Sequence, residues 1–174
     1  MSEQPADPIL TVRNLRTYFD TDAGLARAVD GVSFSVGRGE CVALVGESGC
    51  GKSVTSLTIL RLLPTPPARI AGGEVVFKER NLLALGEPDM CALRGKEIAM
   101  IFQEPQTALN PLFPVGEQIA EAFRAHNPAA RAADAWARAV ETMLTADTLD
   151  ALIIVHVSVR PEDRYAGAAA LSAD

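Results

Sequence analysis

No apolar run in the 174 residues approaches the ~20 needed to cross a bilayer, so direct membrane insertion is excluded and any membrane association must come through a partner. The opening segment, Met1–Pro8, is polar and acidic. It lacks the basic start and apolar stretch of a secretory signal, and the expected compartment is the cytosol. Basic residues are scattered and the net charge is −6, so the electrostatic footprint of a nucleic-acid binder is missing. There are three cysteines, Cys41, Cys50 and Cys91. Their odd number and spacing fit neither a zinc site nor a disulfide framework and point to a reducing compartment. Cys41 and Cys91 read as packed small residues, whereas Cys50 falls in a glycine-rich loop before a helix, a setting that favours a thiolate. The length allows one domain with a real core.

What the chain does have is Gly46-Glu47-Ser48-Gly49-Cys50-Gly51-Lys52-Ser53, which fits G-x-x-x-x-G-K-S at every fixed position. It follows Cys41-Val42-Ala43-Leu44-Val45, which reads as a buried strand. A strand that breaks into such a loop and reopens as a helix turns backbone N–H groups inward at the positive end of the helix dipole, making an anion site. The glycines let backbone approach phosphate oxygens, Lys52 reaches the β- and γ-phosphates, and the Ser53 hydroxyl can join the shell of Mg²⁺. Nucleotide, rather than nucleic acid, is the expected ligand. The helix that follows shows Val54, Leu57, Leu60 and Leu62 or Leu63 as an apolar side before Pro64 stops it.

Ahead of this loop, Ile9–Leu15 alternates loosely and reads as a strand, Asp20–Gly24 as a turn, and Ala28–Val36 as a half-buried strand with Val32, Phe34 and Val36 on one face. Two or three antiparallel strands are therefore expected before the nucleotide site. Beyond it, the prolines of Thr65–Arg69 exclude helix and Gly72–Phe77 returns to extended structure. Lys78–Asn81 should turn the chain, and a short helix is expected near Pro88–Arg94. Ile98–Phe102 reads as a second buried strand, of the nearly continuous apolar kind found in covered parallel sheets. Gln103–Pro111 is then a loop at a strand's carboxyl end, where ligands collect in open α/β sheets, so that Gln103 could touch a metal-bound nucleotide or be merely solvated. Val115–His126 supports a helix with Val115, Ile119, Ala122 and Phe123 on one side; Asn127-Pro128 marks the start of another, whose stripe is Trp136, Val140, Met143 and Leu144 and whose Asp134 and Arg138 can pair across one turn.

The order of Phe19, Gly46–Ser53, Ile98–Pro105 and Leu109-Asn110-Pro111, with Gly116-Glu117-Gln118 following, resembles the ATP-binding subunit of ABC transporters, in particular the dipeptide/oligopeptide importer group. The resemblance runs from Ile9 to Leu144. It implies an α/β fold, a P-loop NTPase core of ABC ATPase type with an N-terminal antiparallel β subdomain, incomplete at the C-terminus. It divides the chain into a polar tail (1–8), a partial ATP-binding domain (9–144) and a divergent tail (145–174). Carried over by residue, it implies that Phe19, in preference to its neighbour Tyr18, stacks on adenine. Gly46, Ser48, Gly49, Cys50, Gly51, Lys52 and Ser53 would hold ATP and Mg²⁺, and Gln103 would coordinate the metal or position the attacking water. The implied partners are the transporter's membrane subunits, met through the Gln103 loop, and a second ATP-binding subunit. The implied location is the cytoplasmic face of the membrane.

After Leu144 the family pattern stops. The L-S-G-G-Q signature, an apolar strand ending in Asp-Glu and a switch histidine should follow, and none is present as such. Leu152-Ile153-Ile154-Val155 is an apolar strand, but His156 stands at its end, and Val157 stands where a switch-histidine motif has Asp. Two expectations follow: a shortened or frame-shifted product, and ATP–Mg²⁺ binding without efficient hydrolysis. The competing reading is a non-catalytic nucleotide-binding or regulatory module. A small P-loop kinase or GTPase is disfavoured because no N-K-x-D base-reading motif is present.

Overall fold

A computed structural model describes residues 7–102, 109–130, 141 and 152–154. Its main feature is a four-stranded antiparallel sheet of order β2-β1-β3-β4, built from β1 (Pro8–Thr21), β2 (Gly24–Gly37), β3 (Ala68–Phe77) and β4 (Arg80–Asn81). The first two strands are longer than the sequence pattern suggested, because the turn is reduced to Asp22-Ala23 between Thr21 and Gly24. Thr21 Oγ1 donates to the Gly24 carbonyl at 2.7 Å and closes it.

The loose alternation of β1 has a cause in its backbone. The ladders to both neighbours slip between Val12 and Arg16, where Asn14 adopts φ 47°. This bulge turns the strand so that Val12, Leu15 and Thr17 are all buried on one face. Gly73 of β3 crosses at that point with φ +100°, and a Cβ there would lie 2.5 Å from Leu15 Cα, so no other residue fits.

Between β2 and β3 runs α1 (Lys52–Ile59). Its buried residues are Thr55, Ser56, Thr58 and Ile59, with Leu60 just beyond; of the expected stripe Leu60 is in the core and half-buried Val54 packs against it, whereas Leu57 and Leu63 are only half-buried and Leu62 is exposed. The hydroxyls tolerate burial because each bonds back one turn, Thr55 Oγ1 to Gly51 O at 2.9 Å and Thr58 Oγ1 to Val54 O at 2.7 Å. Thr58 Oγ1 also meets Thr17 Oγ1 of β1 at 2.9 Å. The helix ends at Ile59 rather than at Pro64, because Arg61 turns left-handed at φ 52°.

After the Lys78-Glu79 turn and β4, a 3-10 turn (Leu82–Ala84) leads into α2 (Glu87–Leu93), which buries Met90 and Leu93. Then come β5 (Ala99–Ile101) and α3 (Val115–His126). Within α3 Ala120 is buried and Ile119 and Phe123 are half-buried, while Val115 and Ala122 stay exposed, against the expected stripe. Asn127 closes α3, its side-chain amide donating to the Phe123 carbonyl at 3.0 Å. A short strand β6 (Leu152–Ile154) pairs in parallel with β5, Ala99 opposite Leu152 and Ile101 opposite Ile154. The core is one cluster joining the sheet, α1, α2 and the start of β5, with Leu15, Ile59, Val75, Phe77, Met90 and Ile98 among its fully enclosed members. Each such side chain contributes on the order of 1.5–3 kcal/mol.

Two expected buried strands differ in the structure. Residues 41–45 form no strand among the described residues and are exposed, Val45 at 88%. The stretch at Ile98–Phe102 is reduced to three residues, with Ile98 enclosed but Ile101 and Phe102 nearly half exposed. The reason is the same for both. An apolar run becomes a covered strand only when ladder partners and a layer on each face are in place. Cys41 and Cys91 are also exposed instead of packed. Asp134, Trp136, Arg138, Val140, Met143, Leu144, His156 and Val157 lie outside the described residues.

Candidate functional site

The glycine-rich loop opens α1. Gly49 and Gly51 take positive φ, 81° and 91°, which gives the loop its concave turn. Gly51 is the residue before the first helical position, and a Cβ on it would fall 2.2 Å from the Ala28 carbonyl oxygen. That carbonyl is placed by β2 itself. Thr17 pairs with Val29 and Tyr18 with Arg27, so Ala28 is the extra residue of a bulge. The loop is thereby seated against the sheet at its one buried residue, while Gly46–Cys50 face solvent.

Lys52 folds across the loop. Its ammonium donates to the carbonyls of Gly46 at 2.8 Å and Glu47 at 2.6 Å, and reaches Cys50 Sγ at 3.3 Å. Intrahelical bonding begins with Thr55 N to Gly51 O at 2.8 Å, so the N–H groups of Lys52, Ser53 and Val54 precede it and point out of the helix start. A positive charge, first-turn amides and the half-exposed Ser53 hydroxyl thus share one cradle. Its donors suit a polyphosphate, and its hydroxyl oxygen suits a hard cation such as Mg²⁺. Among the described residues no group of His, Cys, Asp and Glu could hold a metal by itself, so an ion here would share its shell with phosphate oxygens.

Phe19 and Tyr18 are separated by strand parity. Phe19 is two residues on from buried Thr17, on the face of β1 that meets α1. Tyr18 points the other way, into a charged cluster. Its hydroxyl donates to Asp30 Oδ1 at 2.8 Å, and Arg27 and Arg69 each lie 5.6 Å from its ring centre. The Tyr18 bond holds the Asp30 carboxyl below its usual range, with the Arg27 and Arg16 charges adding to it, and raises the Tyr18 phenol. Tyr18 is therefore committed to the sheet, and Phe19 is half-buried on the opposite face. Gln103 lies outside the described residues.

Sequence reasoning did not find the contact of Gly51 with Ala28. It also missed the arginines behind α1. Arg94 Nε donates to Leu60 O at 2.7 Å and its Nη2 to Arg61 O at 3.0 Å. Nothing in local periodicity signals a contact across 34 residues.

A glycine-rich loop of this geometry opens a helix that leans on an antiparallel sheet. The chain belongs to the ABC transporter family, whose match spans residues 29–165. It is 52% identical over 142 residues to the probable peptide ABC transporter ATP-binding protein y4tR of Sinorhizobium fredii, covering 82% of this chain and 42% of that protein. It is 48% identical over 120 residues to the dipeptide transport ATP-binding protein DppD of Bacillus subtilis, covering 69% of this chain and 36% of that one. The chain thus spans about two fifths of the length of these curated relatives. Its fold is similar to a dimeric ATP-binding cassette in a post-hydrolysis state bound to ADP and Pi, with TM-score 0.65 at 22% identity, covering 81% of this chain and 60% of that one. A cassette of the cbiONQ transporter complex of Clostridium perfringens matches with TM-score 0.57 at 22% identity, covering 83% and 53%. Both support the α/β cassette fold with its antiparallel N-terminal sheet.

Proposed function

We propose that this chain supplies the nucleotide-holding part of an ATP-binding subunit that energises import of peptides or related solutes through an ABC transporter. The observation that carries the reading is the loop itself: left-handed Gly49 and Gly51, the Lys52 ammonium across the mouth and Ser53 in the first turn. The peptide assignment is supported by the relatives, which are named for peptide and dipeptide transport. In this reading Gly46, Ser48, Gly49, Cys50 and Gly51 wrap the phosphates with backbone, and Lys52 neutralises the β- and γ-phosphates. Ser53 and Gln103 would share the shell of Mg²⁺, Gln103 would also position the attacking water in the whole subunit, and Phe19 would stack on adenine. Mg²⁺, when bound, neutralises charge on the phosphate oxygens. The Gln103 loop meets the membrane subunits, and a second ATP-binding subunit completes the assembly on the cytoplasmic face of the membrane. For these 174 residues the proposal is confined to binding.

Calorimetric titration with ATP–Mg²⁺ tests it. Lys52→Ala removes a charge-assisted contact worth about 1.5–3 kcal/mol, so affinity should fall by on the order of 10- to 100-fold. Equal affinity in the two proteins would remove the assignment, and measurable phosphoryl transfer to a small acceptor would favour a kinase instead.

A further inference from the structure

The far end of α1 is built as deliberately as its phosphate-facing end. The helix closes with Arg61 left-handed at φ 52°, Leu62 N bonding to Leu57 O at 2.8 Å and Arg61 N to Thr58 O at 3.0 Å. This is the two-bond closure that normally places glycine where Arg61 stands. It satisfies the carbonyls of Leu57 and Thr58 and leaves those of Leu60 and Arg61 pointing past the helix end. Arg94 takes both, through Nε and Nη2. A left-handed conformation is unfavourable for a residue with a side chain, and the Arg61 side chain is itself engaged. It donates to the carbonyls of Leu82 and Leu85, ahead of α2.

Glu87 ties the two arginines together. Its carboxylate accepts from Arg94 Nη1 and stands 3.9 Å from Arg61 Nη2. The Arg94 hydrogen bond holds the Glu87 carboxyl below its ordinary range against the opposing effect of burial, with the Arg94 charge, the Cys91 hydrogen bond and the Arg61 charge adding to it. Glu87 therefore stays ionised at neutral pH. The backbone of Arg94 is fixed just as firmly: it bridges to Ile98, and Gly95 N bonds Ile98 O at 2.9 Å immediately before β5. One planar guanidinium therefore joins the last carbonyls of the phosphate-loop helix to Glu87 of α2, and the backbone beside it leads into β5.

We infer that Arg94 is a positioning residue for nucleotide binding: its guanidinium clamps the C-terminal end of α1 and so fixes the register in which the loop at the N-terminal end meets phosphate. The inference deepens the nucleotide-site reading and rests on it. α1 spans only eight residues, Lys52–Ile59; Gly51 lies close against the Ala28 carbonyl at one end, and Arg94 holds Leu60-Arg61 at the other. Releasing one end lets it pivot about the other. A lysine cannot replace Arg94, because a single ammonium does not span two carbonyls and a carboxylate in one plane.

The test compares the unaltered chain with Arg94→Ala, Arg94→Lys and Glu87→Gln, using a fluorescent N-methylanthraniloyl ATP with Mg²⁺ and, separately, amide hydrogen exchange of the nucleotide-free proteins. Arg94→Ala should weaken binding about tenfold and speed exchange across α1 and the loop. Added guanidinium at millimolar concentration should restore much of that affinity, and Arg94→Lys should behave like the alanine variant. Glu87→Gln, which leaves both carbonyl bonds in place, should cost less than threefold and stands in should Arg94→Ala fail to fold; a tenfold loss there would overturn the clamp. Unchanged affinity in Arg94→Ala overturns the proposal, as does a loss that lysine restores fully or guanidinium leaves untouched. If the unaltered chain binds no ATP, the nucleotide reading fails on its own. The clamp is then decided by exchange: faster at α1 in Arg94→Ala supports it, and an unchanged rate overturns it.

Discussion

Lys52, Phe19 and Cys50 show how much a single side chain's surroundings decide. The ammonium of Lys52 is positioned by two loop carbonyls and, among the described residues, not by an acidic partner, so its charge is available to an anionic ligand. Phe19 owes its place to strand parity, which separates it from Tyr18 by one residue and one face. Phe19→Ala should weaken ATP by about 0.5–1.5 kcal/mol, the scale of an aromatic contact, while leaving inorganic tripolyphosphate affinity unchanged. Equal losses for the two ligands by calorimetry would mean that Phe19 packs and does not stack. Cys50 is exposed, and its sulfur sits where a Cβ on Gly46 would come within 2.6 Å. Carboxamidomethylation there should block ATP binding, and ATP should protect it. Cys41 and Cys91, also exposed, should react at the same rate with or without ATP, which peptide mass spectrometry resolves site by site.

At the scale of the element, α1 is the part whose sequence is least transparent. Its leucines and valine suggest the buried stripe, yet hydroxyls occupy the interface and are satisfied by bonds to the preceding turn and by the Thr17–Thr58 pair. Periodicity ranks residues by hydrophobicity and has no knowledge of partners, so it could not place a threonine inside. Gly51 was legible as a fixed motif glycine, whereas its close approach to Ala28 was not. Gly51→Ala meets both a φ of +91° and a backbone oxygen 2.2 Å from the new Cβ. The strain alone is on the order of 1–3 kcal/mol, and the variant should melt several degrees lower and lose ATP binding in parallel. A melting temperature equal to that of the parent would show that the loop is not seated on β2.

For the whole molecule, order is uneven and follows ladder partners. β1 is paired on both sides, with β2 and β3, so its amides should exchange slowest. The amides of residues 41–45 belong to no ladder among the described residues and should exchange near the unstructured rate, read by mass spectrometry on the nucleotide-free chain. Slow exchange at 42–45 would show that the stretch has found a sheet partner. Leu152–Ile154 was legible as an apolar strand, but its neighbour was not, and the parallel pairing with Ala99–Ile101 is a contact between segments some fifty residues apart in sequence.

The sequence alone determined the phosphate loop, the family, the antiparallel sheet before the loop, the short helix at Glu87–Leu93 and the span Val115–His126. These depend on local chemistry: fixed glycines, alternation, prolines and caps that act within a few residues. Only the tertiary structure decided which face of α1 is buried, that Gly51 is wedged under a bulge of β2, that Tyr18 is spent on the sheet, and that Arg94 holds the far end of the phosphate-loop helix. Each of those is a contact between distant segments, and the identity of a residue does not specify the carbonyl or ring that folding brings to it.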